Sequence, residues 1–149
     1  MLCRLTAEAL SRELPAADGY ERIYIRRSGA RCVINFDELG TLLHHRGFRI
    51  VSFENMAFDE QISIMRAARY VIAEHGAGVS NVMFCRNGAR LLEMFNAFGA
   101  QPAHWALASL CGVGYGYVIG DHPGGQLHGN SDYIMPQRTL IEAVDDMLA

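Results

Sequence analysis

The segment Glu74-His75-Gly76-Ala77-Gly78-Val79-Ser80-Asn81 concentrates residue types that can do chemistry. It follows a short apolar run and precedes a stretch, Ala77 to Phe84, that reads as a helix. Gly76 and Gly78 let the backbone approach a ligand closely. The first N–H groups of a helix have no partner within it, and together with the positive end of the helix dipole they favour phosphate. The pattern is neither G-x-G-x-x-G nor a Walker loop, and a tight turn alone would also explain two glycines. His75, standing alone, would read as a packed, satisfied histidine.

Three further positions belong to the same chemistry. Arg26 and Arg27 end a β-rich run, where one guanidinium could meet phosphate by paired hydrogen bonds and the other could be a solvated strand end. Glu93 lies inside the apolar run Arg90-Leu91-Leu92-Glu93-Met94-Phe95. A carboxylate there is costly unless paired, so either ribose hydroxyls or a neighbouring arginine would have to satisfy it. Asp121, His122 and His128 could ligate a metal, but the intervening glycines argue for a loop instead, and no metal is expected. His44-His45 reads as the solvated, dipole-favoured end of a helix. Trp105, Tyr115 and Tyr117 read as core, with Trp105, next to His104, possible at the border of a site.

These residues must be held by alternating strands and helices. The pattern predicts helices over residues 4–14, 35–46, 58–68, 77–84, 102–110 and 136–148. Strands are predicted over 22–26, 48–53, 70–73, 89–95 and 115–119. Asn35 is placed to cap the second helix and Gly47 to stop it. Strand–helix alternation repeated this often implies an α/β fold, a Rossmann-like parallel sheet with helices on both faces. Residues 1–19 read as an N-terminal helix and linker, and 20–149 as the Rossmann-like domain. Ligands in such sheets sit beyond the carboxyl ends of the strands, which is where the residues named above fall.

Composition narrows the function classes. The 149 residues suit one domain, and half of them are apolar, enough for a core. A net charge of −3 argues against a protein that coats nucleic acid. All 13 basic residues are arginine, which fits either a GC-rich genome or a preference for bidentate phosphate contacts. No run of apolar residues is long enough to span a membrane, and the N-terminus lacks a signal-peptide pattern. Cys3, Cys32, Cys85 and Cys111 are unevenly spaced, so buried thiols in a reducing compartment are expected rather than zinc or disulfides. There is no G-x-S-x-G, no D-x-D, and no dinucleotide fingerprint after the first strand.

Taken in order, the motifs resemble the C-terminal part of family 61 glycosyltransferases, which includes bacterial capsular polysaccharide biosynthesis proteins. The resemblance is carried by Ile23-Tyr24-Ile25-Arg26-Arg27, Arg31-x-x-x-Asn35-x-x-Glu38-Leu39, Gly47-Phe48 and Phe58-Asp59-Glu60-Gln61. It continues through Glu74 to Asn81 with Phe84, and Leu92-Glu93, spanning roughly residues 20–145. It implies the donor-binding half of a GT-B enzyme, metal-independent and inverting, that moves a sugar from a nucleotide-diphosphate sugar, expected to be a UDP-sugar, to a hydroxyl acceptor on a glycan. No cofactor is implied. The donor contacts it implies are Arg26, Arg27, Arg31, Asn35, His75, Gly76, Ala77, Gly78, Ser80, Asn81 and Glu93, the last on the ribose. His75 is the candidate catalytic base. By motif register Arg27 takes the family arginine's place. Phe36 stands where the family has an acid, and Glu74 replaces a common proline, setting a negative charge beside the phosphate site. A second domain, or a partner chain, would be needed for the acceptor. Without it the alternative is a degenerate, non-catalytic nucleotide-binding or assembly module. A cytoplasmic location, peripheral to the inner membrane at most, is expected.

Overall fold

The computed structural model describes residues 2–149, with side chains from Leu5 onward. Helix α1 (Leu2–Ser11) leads into strand β1 (Arg22–Ile25), α2 (Phe36–His45) and β2 (Arg49–Val51). Then come α3 (Phe58–Ala67), β3 (Tyr70–Glu74), a 3-10 helix (Ala77–Phe84) and β4 (Arg90–Phe95). Helix α4 (Ala103–Leu110), β5 (Gly114–Ile119) and α5 (Gln137–Leu148) complete the chain. Each element predicted from periodicity is present, within a few residues of its expected bounds.

The five strands form one parallel sheet in the order β2-β1-β3-β4-β5. A parallel sheet is buried on both faces, and the strands show it: Val71, Ile72 and Ala73 are all fully buried. Alternation divides their side chains between two cores. Ile23, Ile25, Val71, Ala73 and Leu91 pack with Ala7 of α1, Ile62 and Met65 of α3, Val79 and Val82 of the 3-10 helix, and Ala108 of α4. Tyr24, Ile72, Leu92 and Met94 pack with Leu39 and Leu43 of α2 and Leu140 and Val144 of α5. Helix α1 packs against this core: Ala7 is 4% exposed, and Arg66 donates to the carbonyl of Ser11 at 2.8 Å.

Two local expectations change. The segment Ala77–Phe84 is 3-10 rather than α-helical, opened by a bond from Val79 N–H to the Gly76 carbonyl at 3.0 Å. Its buried Val79 and Val82 lie three apart, the period of a 3-10 turn. Asn35 sits at the start of α2 but makes no side-chain cap. Its amide instead clasps the Met135 backbone in both directions, at 2.9 and 3.0 Å, tying the segment before α5 to α2. Among the described residues no helix is long and apolar enough to cross a membrane.

Candidate active site

The chain runs from β1 outward to β2, then back across β1 to β3, so the strand order reverses between β1 and β3. At that switch point the carboxyl ends of neighbouring strands diverge and open a crevice. A cleft of about 340 Å³ lies there, lined by Arg26, Arg27, Glu54, Gly76, Gly78 and Asn81 among others. A cavity of similar size at the amino ends of β4 and β5 runs past Arg90, whose guanidinium is already bonded to the Met147 carbonyl at 2.7 Å.

Alternation along β1 sends its two terminal arginines apart. Arg26 faces α2, its guanidinium 3.9 Å from the Phe36 ring centroid, so the phenyl ring supports the cation by its π face. Arg27 turns to the glycine loop, donating from Nη1 to the His75 carbonyl at 3.2 Å and from Nε to the Ala30 carbonyl at 3.3 Å. A Cβ on Gly76 would stand 1.5 Å from Arg27 Nη1, so only glycine admits the guanidinium here. Arg31 adds a second cation. It adopts a left-handed backbone (φ 62°), which is unusual for a residue with a side chain. Its buried Nε has no hydrogen-bond partner. Burial, and then the charge of Arg27, hold its guanidinium below the ordinary value. Two neighbouring cations, one of them lining the cleft, suit an anion there.

Glu74, the acid expected to repel phosphate, is 2% exposed and lies on the α2 side of the sheet. It accepts from the Tyr24 hydroxyl at 2.6 Å and from Val33 N–H at 3.3 Å. Burial pushes its carboxyl up to about 7 against the opposing pull of those hydrogen bonds, so much of its charge is muted near neutrality. Asn81 is also engaged: it donates to Gln61 Oε1 at 2.8 Å, and Gln61 in turn holds the carbonyls of Phe53 and Met56. Glu54 steadies the turn after β1 by accepting from the backbone N–H (2.8 Å) and hydroxyl of Ser28.

Beside the cleft, on the α4 side of β3 and β4, lies a second constellation. Glu93 is fully buried, its Oε1 facing Nδ1 of His75 at 2.6 Å and Nδ1 of His104 at 2.7 Å. The Tyr115 hydroxyl donates to its Oε2 at 2.8 Å. Burial acts to raise the Glu93 carboxyl, but these bonds outweigh it and the net shift is downward. Both oxygens of Glu93, expected to meet a ribose, are engaged by protein groups. Its partners are histidines, not an arginine. His75 stacks on Phe95 with centroids 4.6 Å apart, its Nδ1 committed to Glu93 and its side chain 14% exposed. Ser80 Oγ lies 3.4 Å from His104 Nε2.

The sequence-predicted residues thus fall into three groups. Arg26, Arg27, Gly76, Ala77, Gly78 and Asn81 line the cleft, with Arg31 beside Arg27. His75 and the buried Glu93 form the cluster next to it, and the exposed Ser80 touches its edge through His104. Asn35 is drawn away into its clasp on Met135. His104 and Tyr115 were missed as site residues. The available signal was a polar ring in the apolar run of α4 and a tyrosine whose strand parity matches Glu93. Trp105 and Tyr117, expected in the core, are each 54% exposed: Trp105 because His104 and Ala108 form the inward face of α4, and Tyr117 on the edge strand β5.

The family model for glycosyltransferase 61 matches residues 5–92, more than half of the chain. The chain belongs to glycosyltransferase family 61. It is 30% identical over 134 residues, 80% of this chain, to the EGF domain-specific O-linked N-acetylglucosamine transferase of Drosophila melanogaster. It is 31% identical over 117 residues, 73% of this chain, to the protein O-linked-mannose beta-1,4-N-acetylglucosaminyltransferase 2 of Danio rerio. It covers 26% and 20% of those two family 61 relatives' own lengths. The family match ends at Leu92, just short of Glu93, and both arginines and the glycine loop fall inside it.

Proposed function

We propose that this chain is the donor-binding part of a glycosyltransferase that moves a sugar from a nucleoside-diphosphate sugar to a hydroxyl acceptor. The observation that carries the reading is the crevice at the β1/β3 switch point, lined by Arg26 and Arg27, where Arg27 is seated on Gly76 and lies near enough to Arg31 to feel its charge. Arginine forks and loop N–H groups would take up the charge that develops on the leaving diphosphate, so the transfer itself needs no divalent cation. His75 serves as the base for the acceptor hydroxyl, its ring oriented by the buried Glu93. Direct attack of that hydroxyl inverts the anomeric centre. Both relatives are named for transferring N-acetylglucosamine, which makes a UDP-linked N-acetylglucosamine the first donor to try. A GT-B partner domain, supplied on the same or another chain, would bring the acceptor.

Calorimetry with UDP, GDP and CDP sugars tests this reading. Binding of one nucleotide class is expected, weakened by Arg27→Ala. Absence of binding at millimolar ligand, or binding indifferent to Arg27→Ala, would overturn it. A non-catalytic binding module is the second reading, favoured because Asn35, Asn81 and Glu93 are all occupied by protein partners. It predicts nucleotide binding without transfer even when an acceptor-binding domain is supplied.

A further inference from the structure

We propose that His75, Glu93 and His104 form a binding site for a transition-metal ion, zinc by its ligand set, separate from the phosphate cleft. The three side chains come from β3 and its following loop, β4 and α4, and their ligand atoms lie within 4.8 Å of one another. Two imidazoles and a carboxylate are the donor set of many zinc sites that keep an open position. Imidazole also selects zinc over magnesium or calcium, which take oxygen ligands.

The surroundings supply what such a site needs beyond its ligands. Tyr115 donates to Glu93 Oε2, so the carboxylate is held from behind while Oε1 points to both imidazoles. Ser80 Oγ stands 3.4 Å from His104 Nε2 and can accept its proton-bearing edge, which leaves Nδ1 with its lone pair toward the metal. Fixing the tautomer of a ligating histidine in this way is the ordinary task of outer partners. The present contacts of 2.6 and 2.7 Å between the imidazoles and Oε1 are hydrogen bonds. Ligands about 2.0–2.2 Å from a zinc ion stand wider apart than that, so Glu93 and the two rings must separate by under about 1 Å. His75, 14% exposed, leaves one side of the cluster open to an entering ion and a fourth ligand.

The binding stands independently of the transfer reading. Zinc seated here withdraws His75 from base chemistry and makes the ion an inhibitor of the proposed reaction. The test is titration of the purified chain at neutral pH with Co²⁺, read by visible absorption, and with Zn²⁺, read by calorimetry. A single equivalent of zinc is expected, with cobalt bands typical of four or five ligands and no response to Mg²⁺. His104→Asn keeps a donor for Glu93 but removes a metal ligand, and should abolish both signals. Tyr115→Phe should weaken binding about 10- to 100-fold. A His44→Ala, His45→Ala double variant should leave binding intact. Absence of zinc binding, binding unchanged in both His104→Asn and Tyr115→Phe, or loss in the double variant would overturn the proposal. Thermal melts identify a variant that fails to fold, and the other substitution then decides. Nucleotide titration of the same samples reports separately on the donor cleft.

Discussion

At the scale of single residues, the site depends on glycine and arginine fitting one another. Gly76 has no conformational reason to be glycine, since its backbone is extended; the reason is steric, because Arg27 occupies the space of a Cβ. Gly76→Ala should therefore dislodge Arg27 and lower nucleotide affinity about 10-fold or more, the scale of a lost charge-assisted hydrogen bond of ~1.5–3 kcal/mol. Calorimetry reads the affinity and circular dichroism checks that the fold is kept. Glu74 has the opposite character: buried, bonded and structural. Glu74→Gln would turn one acceptor into a donor facing the Tyr24 hydroxyl or Val33 N–H, at a cost of about 1–3 kcal/mol in urea unfolding. Burial pushes the Cys85 thiol up to about 12. Native protein should leave that residue unalkylated by iodoacetamide at pH 8, whereas denatured protein should react; peptide mass mapping distinguishes the two.

At the scale of elements, the sheet parity decides which groups meet. Ile25 and Arg27 share one face of β1, as Tyr24 and Arg26 share the other, so the two arginines cannot do the same work. The same parity sets Glu93 opposite α4, where His104 sits one position into the helix and turns inward with Ala108. Helix α2 packs on the sheet through Leu39 and Leu43, both fully buried. Leu39→Ala should cost about 2–5 kcal/mol, measured by denaturant unfolding. Asn35 links α2 to the segment before α5 by two hydrogen bonds. Asn35→Ala should speed amide exchange at Met135 and Tyr133 while leaving the strands β3 and β4 protected, since the clasp is local.

At the scale of the molecule, two cores on opposite faces clamp one sheet, and the polar groups collect at its carboxyl edge. The net charge of −3 says nothing of this, because Arg26 and Arg27 both line one crevice. Nucleotide binding should accordingly weaken as sodium chloride rises from low to physiological concentration, since partly exposed arginine–phosphate contacts are screened within about 8–10 Å. A salt-independent affinity, measured by calorimetry at several ionic strengths, would contradict a phosphate-centred site. The chain covers about a quarter or less of the length of its two relatives.

The elements were legible in the sequence because their causes are local: apolar periodicity, a glycine after α2, a proline before α5. The glycine loop, the arginine pair and the family were legible for the same reason, as ordered short motifs. The tertiary structure decided what depends on long-range packing. Glu93 meets His104 and Tyr115, 11 and 22 residues further on, only because α4 docks over β4 and β5 pairs beside it. Which arginine reaches the loop follows from which helix covers which face of β1. The 3-10 form of residues 77–84 follows from burying Val79 and Val82 in one row, a choice that the core makes and local propensity does not.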